Sequence, residues 1–311
     1  MKKNTRDDFR YYDRWTVPND WVIANGVSLK ELVFDIQNLI RMGQYELVFS
    51  EIELLLSTCT VTNKHNPEWA YLRLLLGITK RKCGQLKIAR QYISLALKDF
   101  KTVNDTENSI RCLIAMGDTW RAQALMSNDS RATKNHWLRA SKFYDEAKIT
   151  SEDYLERTTS IQNTVVILLR AQILWAQARV DLTLGKVLHL VEASLLEAWN
   201  LSLEADSIWA QEEAAQLLGR YYEKVVDIKN ARKWYNISLK KAKESSNVDR
   251  LIETYLYLAK LKEKTNDFIS AHKLAINAEK ILSPLLEQNL PENHQFFKFQ
   301  NEIMRIKKNK Y

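Results

Sequence analysis

A chain of 311 residues, 46% hydrophobic and 27% charged, is longer than one globular core ordinarily supports, so it is expected to form two domains or an elongated array. Seven glycines and four prolines leave little turn chemistry for a hairpin-rich β fold, and no run reaches the roughly 18 apolar residues of a membrane span. The net charge of +8 favours an acidic partner without defining one. Cys59, Cys83 and Cys112 show no CxxC pairing and read as reduced, buried thiols.

Residues 1–27 carry Phe9, Tyr11, Tyr12, Trp15 and Trp21 outside any helical repeat, and read as an aromatic arm that caps the first helices or, alternatively, binds a partner. The same stretch lacks the apolar run of a signal peptide, which implies an intracellular protein, cytoplasmic or nuclear. Ser28 with Glu31 has capping-box spacing and starts the first helix. From there a marker returns in successive first helices at Ile36, Gly77, Gly117, Ala178, Gly219 and Ala259, with intervals of 41, 40, 61, 41 and 40. Twelve residues on, in the partner helix, stand Val48, Ala89, Ala231 and Ala271, and seven further on Leu55, Ala96, Ser238 and Ala278. Small residues at this spacing predict helices that cross at close range, since glycine inside a helix costs about 1 kcal/mol against alanine and needs a packing reason.

Two units depart from the period. About eleven extra residues around MSNDSRATKNH follow Gly117 and are expected to form an exposed polar loop. In the unit from Thr164 to Asp206, Ala193 and the pair Ala198 and Ala205 compete for the packing face. Residues 28–284 form the array, and 285–311 read as a capping helix from Pro291 to about Lys308 with a basic tail.

Leu76-Gly77 with Gly84, Ala89 and Ala96, Leu218-Gly219 with Tyr222, Ala231 and Tyr235, and Leu258-Ala259 with Phe268, Ala271 and Ala278 resemble tetratricopeptide repeats of the longer, 40-residue kind. The resemblance implies an all-α, right-handed helical-repeat solenoid of about six hairpins plus a C-terminal capping helix. It also implies that fixed positions of each first helix face a concave groove. Carried over, those positions give Arg41, Tyr71, Arg81, Lys82, Arg111, Arg121, Trp175, Arg179, Arg220, Lys224 and Lys260, a basic set suited to an acidic or extended segment of a partner protein. The chaperone-tail clamp of the family is not reproduced, because Val33 and Gln37 stand where its Lys and Asn would fall.

Chemistry is harder to find. The histidines have no metal-ligand spacing, no phosphate-binding glycine loop occurs, and Glu212 and Glu213 read as solvated surface carboxylates. The expectation is a non-enzymatic adaptor or scaffold without cofactors or membrane insertion. Two alternatives, a peptide-responsive regulator and a subunit of a nucleic-acid-associated complex, rest on the fold and the charge respectively.

Overall fold

The computed structural model describes residues 29–57, 67–157, 164–185, 188–288 and 294–309. The aromatic arm, Ser28, Cys59 and the side chains of Lys30, Glu31, Arg41 and Leu55 lie outside the described residues. Six helical hairpins follow one another: α1 (Leu29–Arg41) with α2 (Tyr45–Ser57), α3 (Pro67–Lys82) with α4 (Leu86–Thr102), α5 (Thr106–Met126) with α6 (Ser130–Arg157), α7 (Thr164–Leu184) with α8 (Leu188–Glu204), α9 (Ile208–Lys224) with α10 (Ile228–Glu244), and α11 (Val248–Lys264) with α12 (Phe268–Leu282). A 3₁₀ turn, Ser283–Leu285, leads towards α13 (Gln295–Lys308). Each helix packs chiefly on its neighbours in the chain, and among the described residues the architecture is all-α, a helical-repeat solenoid.

The small residues set the crossings. A Cβ on Gly77 would stand 2.6 Å from the Ile93 side chain, and one on Gly117 would stand 2.5 Å from the ring of Tyr144. At Gly219 it would collide with Tyr235. Two of these rings are also tied down, since the Tyr144 hydroxyl donates to Asp118 at 2.8 Å and that of Tyr235 to Glu223 at 2.6 Å. Behind them Ala89, Ala96, Ala231, Ala271 and Ala278 are fully buried, as close helix packing requires.

Turn chemistry supplies the repeat's punctuation. Gly43, Gly84, Asn104, Asp206, Val226, Ser246 and Asn266 all adopt left-handed backbone at helix ends, with φ between 46° and 77°. After five of them comes the N-cap of the next helix: Asp105, Ser207, Asp227, Asn247 and Asp267 each accept the backbone N–H three residues on. One short segment thus satisfies the ends of two helices.

Three expectations change. The polar insert after Gly117 is helical, leaving only Ser127–Asp129 between α5 and α6, because the Asp129 carboxylate accepts from the N–H groups of Arg131 (2.7 Å) and Ala132 (3.3 Å) and starts α6 early. In α8 the buried face is Val191, Leu195, Ala198 and Ser202, whereas Ala193 is exposed. The final helix begins at Gln295, with His294 in extended backbone accepting the Phe296 N–H through Nδ1 at 3.1 Å; Pro291, the expected start, lies outside the described residues.

Two substitutions test this packing. Val226 is β-branched in a left-handed conformation and 76% exposed, so Val226→Gly removes strain at little packing cost and should raise stability by about 1 kcal/mol, about 2 °C in Tm. Calorimetry showing a lower Tm would contradict it. Gly219→Ala should cost about 1–3 kcal/mol by overpacking against Tyr235, and the loss should shrink in a Tyr235→Leu background. Strictly additive losses in denaturant titrations of the double variant would refute the contact.

Candidate functional site

The array does not stay open. The turn of the first hairpin rests on the end of the chain: a Cβ on Gly43 would lie 3.1 Å from Phe296, 3.3 Å from Val248 and 3.4 Å from Leu285. Tyr45 and Cys83 share one apolar cluster with Ile252, Leu282, Phe296 and Ile303. The Tyr45 ring lies 5.1 Å from that of His294 and 5.9 Å from that of Phe296. Its hydroxyl donates to Asp249 at 2.7 Å, and Lys82 forms an ion pair with the same carboxylate. The Cys83 thiol is free, and burial pushes its pKa up to about 12.

Closure leaves a cavity of about 500 Å³ at the superhelix axis, lined from α3, α5, α7, α9, α11 and α13. The lining residue moves along the helix from one hairpin to the next. Arg81 and Lys82 end α3, Asp118, Arg121 and Leu125 occupy the second half of α5, and Arg179 lies near the end of α7. On α9 the lining residues are Trp209 and Glu213, close to its start, and on α11 they run from Asp249 to Lys260. Lys298, Phe299 and Glu302 of α13 complete the wall.

Charge within this wall is partly paired. Asp118 has Arg81 at 3.8 Å and Arg121 at 3.5 Å. Burial acts to raise its carboxyl pKa, and Arg81, Arg121 and Arg179 together more than offset it, holding the group well below the usual carboxylate range. Arg81 is pushed down by burial and by the charges of Arg121 and Arg179, against the pull of Asp118. Glu213 bridges Arg179 and Arg250, and Arg250 also holds Glu253 at 2.9 Å. Next to it, Glu212 accepts from Ser245 at 2.7 Å and from Asn247 at 2.5 Å. Glu212 and Glu213 are therefore buried network carboxylates, not surface ones.

Of the residues expected in the groove, Arg81, Lys82, Arg121, Arg179 and Lys260 line the cavity. Arg41 ends α1, and its side chain is outside the described residues. Tyr71, Arg111 and Trp175 are placed inside the packing, Arg111 beside Glu107 at 2.5 Å and Trp175 edge-on to Trp209 at 5.1 Å. Arg220 lies over the Tyr257 ring at 5.7 Å, and Lys224 donates to the Leu182 carbonyl; neither is part of the lining. Trp209, Glu213, Asp249, Arg250, Tyr257 and Lys298 also line the cavity and are not among the residues expected there. For all but Lys298, which stands on α13, the signal is a charged or aromatic residue on the first helices at changing height, invisible to a projection that holds the position fixed.

No known protein family matches the sequence, and comparison with curated proteins finds no match. Solved structures similar to the chain include BtubC (BKLC) from P. vanneervenii, at 15% identity and a TM-score of 0.46, covering 86% of this chain and 96% of that one. Another is Acl4, an assembly chaperone of RpL4, at 15% identity and a TM-score of 0.42, covering 90% of this chain and 96% of that one. Among the described residues no helix is long and apolar enough to cross a membrane.

His294, at the closure, gives a pH test. It is fully buried among Tyr45, Phe296, Asp249 and Lys82, and burial, helped by Lys82 and opposed by Asp249, pushes its pKa down from 6.5 to about 4. With the folded value below the unfolded one, its effect is absent above pH 6.5, and stability is lost as pH falls from there towards 4, where the loss levels off. Urea titrations should therefore show about 2 kcal/mol lost between about pH 7 and pH 4.5, a loss that His294→Asn, which keeps a helix cap, should largely abolish. Equal losses in both proteins would contradict this role.

Proposed function

We propose that the chain is a non-enzymatic, intracellular adaptor of the tetratricopeptide-repeat kind, which holds a short acidic segment of a partner protein in the axial cavity. The observation that carries the reading is the lining itself, in which Arg81, Lys82, Arg121, Arg179, Arg250, Lys260 and Lys298 outnumber Asp118, Glu213, Asp249, Glu253 and Glu302. Arginine forks on helices already packed in place would grip carboxylate groups bidentately at a small cost in ordering. Trp209, Tyr257 and Phe299 offer apolar faces beside them, the combination of aromatic and arginine anchors from which binding hot spots are built. A cavity of about 500 Å³ suits a few side chains or a chain terminus better than a long extended peptide.

The test is fluorescence anisotropy with labelled acidic and basic peptides of equal length. The acidic peptide should bind, should lose affinity steeply with added salt, and should bind at least about tenfold more weakly to Lys260→Glu combined with Lys298→Glu, side chains at the more open parts of the wall. Equal affinity for both peptides, or no response to the double variant, would remove the cavity from consideration. An oligonucleotide titrated in parallel distinguishes the nucleic-acid alternative, since it should compete only if charge alone governs binding.

A further inference from the structure

Seven cations and five carboxylates line the cavity, and their surplus of two positive charges has a definite place. Lys82 pairs with Asp249, and Lys260 with Glu302 at 3.1 Å. Arg179 and Arg250 share Glu213 and Glu253 between them. What remains is Arg81 and Arg121 on Asp118 alone, with Lys298, whose Nζ lies 3.4 Å from the carbonyl oxygen of Leu125. Arg121 and Leu125 are one turn apart on α5, so these three cations border the same stretch of the cavity wall.

The arginines there are poorly satisfied. Their distances to Asp118, 3.8 and 3.5 Å, exceed the roughly 2.7–2.9 Å of a charge-assisted hydrogen bond. The Nε atoms of Arg81, Arg121 and Arg179 are buried and have no hydrogen-bond partner among the described residues. The Arg81 and Arg179 side chains are only 10% and 8% exposed, so bulk water does not replace the missing acceptors.

We propose that this stretch of the cavity wall is a phosphate-monoester site, formed by Arg81, Arg121 and Lys298 with Arg179 in electrostatic reach. A phosphate monoester carries about −1.5 to −2 charges at pH 7 and three strong acceptor oxygens, which matches the surplus, whereas a single carboxylate cancels only half of it. The Asp118 charge is already included in that balance. The inference rests on the reading of the cavity as the adaptor's binding site and gives the bound acidic group a chemical identity. A phosphorylated side chain of a partner and a free phosphate ester present the same chemistry, so the experiment separates those sources.

Four probes are titrated into the full chain by calorimetry: phenyl phosphate, a phosphoserine peptide, the same peptide with serine, and the same peptide with glutamate. Phosphate-bearing probes should bind at least about tenfold more tightly than the serine and glutamate peptides, and Arg81→Gln and Lys298→Glu should each weaken them about tenfold or more. Phenyl phosphate binding as tightly as the phosphopeptide would identify the free ester as the source, and tighter phosphopeptide binding a modified partner; both support the site. Arginine-dependent binding of phenyl phosphate with no peptide bound would uphold the site and defeat the adaptor reading. Equal binding of glutamate and phosphoserine peptides would do the reverse, overturning the phosphate site while leaving the adaptor. No binding of any phosphate probe also overturns it. Circular dichroism checks each variant, and if Arg81→Gln is unfolded, Lys298→Glu, exposed at the rim, decides.

Discussion

Asp249 joins the two ends of the array, taking a hydrogen bond from Tyr45 and an ion pair from Lys82 across more than 160 residues of sequence. In an open solenoid each hairpin touches only its neighbours, and the superhelical pitch is set by many small crossings in series. Closure adds a contact that every crossing must satisfy at once. A buried ion pair of this kind contributes little net stability against an apolar replacement, but breaking it by removing one partner is costly, so it favours one geometry over others. The apolar part of the seam, Tyr45, Cys83, Ile252 and Phe296, supplies the burial, and Asp249 fixes where that burial occurs.

The crossings make closure possible. Gly77, Gly117 and Gly219 each accept a large side chain where a Cβ would block it, so three hairpins cross tightly enough to bend the array within six units. Tyr144 and Tyr235 do more than fill space, because their hydroxyls reach back to Asp118 and Glu223 on the same first helices as those glycines. At Gly117 the packing contact therefore borders the cavity wall. Placement of Asp118 depends on Tyr144, and placement of Arg81 and Arg121 depends on Asp118.

The architecture was legible because its causes are local. A period near 40 and small residues at crossings are both properties of short segments, and they led to the six hairpins. The site was legible in part. Arg81, Arg121 and Arg179 fell where a fixed projection placed them, but that projection also chose Arg220 and Lys224, because it assumed that the same position of every first helix faces the axis. In the closed array the axis-facing position drifts from the end of α3 to the start of α9, which is how Glu213 and Arg250 enter the wall. Glu212 and Glu213 looked like surface residues because burial of a carboxylate depends on partners beyond its own helix, here Arg179, Arg250, Ser245 and Asn247. Closure itself pairs residues so far apart in the chain that no periodic pattern encodes it.

The arginines at the axis bear on what the fold is for. Removing Arg81 and Arg179 from water costs several kcal/mol that loose or shared carboxylates recover incompletely, whereas apolar residues at the same places would pack without that penalty. Closure does not call for them, since its own polar contact is at Asp249. A local choice that works against stability in an otherwise consistent fold is characteristic of a functional site. Desolvation and ordering of these guanidiniums are completed on folding, so an anion entering the cavity meets preorganised donors and gains most of its contact energy. Such an anion would touch α3, α5 and α13 together, and by binding only the closed array it would stabilise closure by mass action.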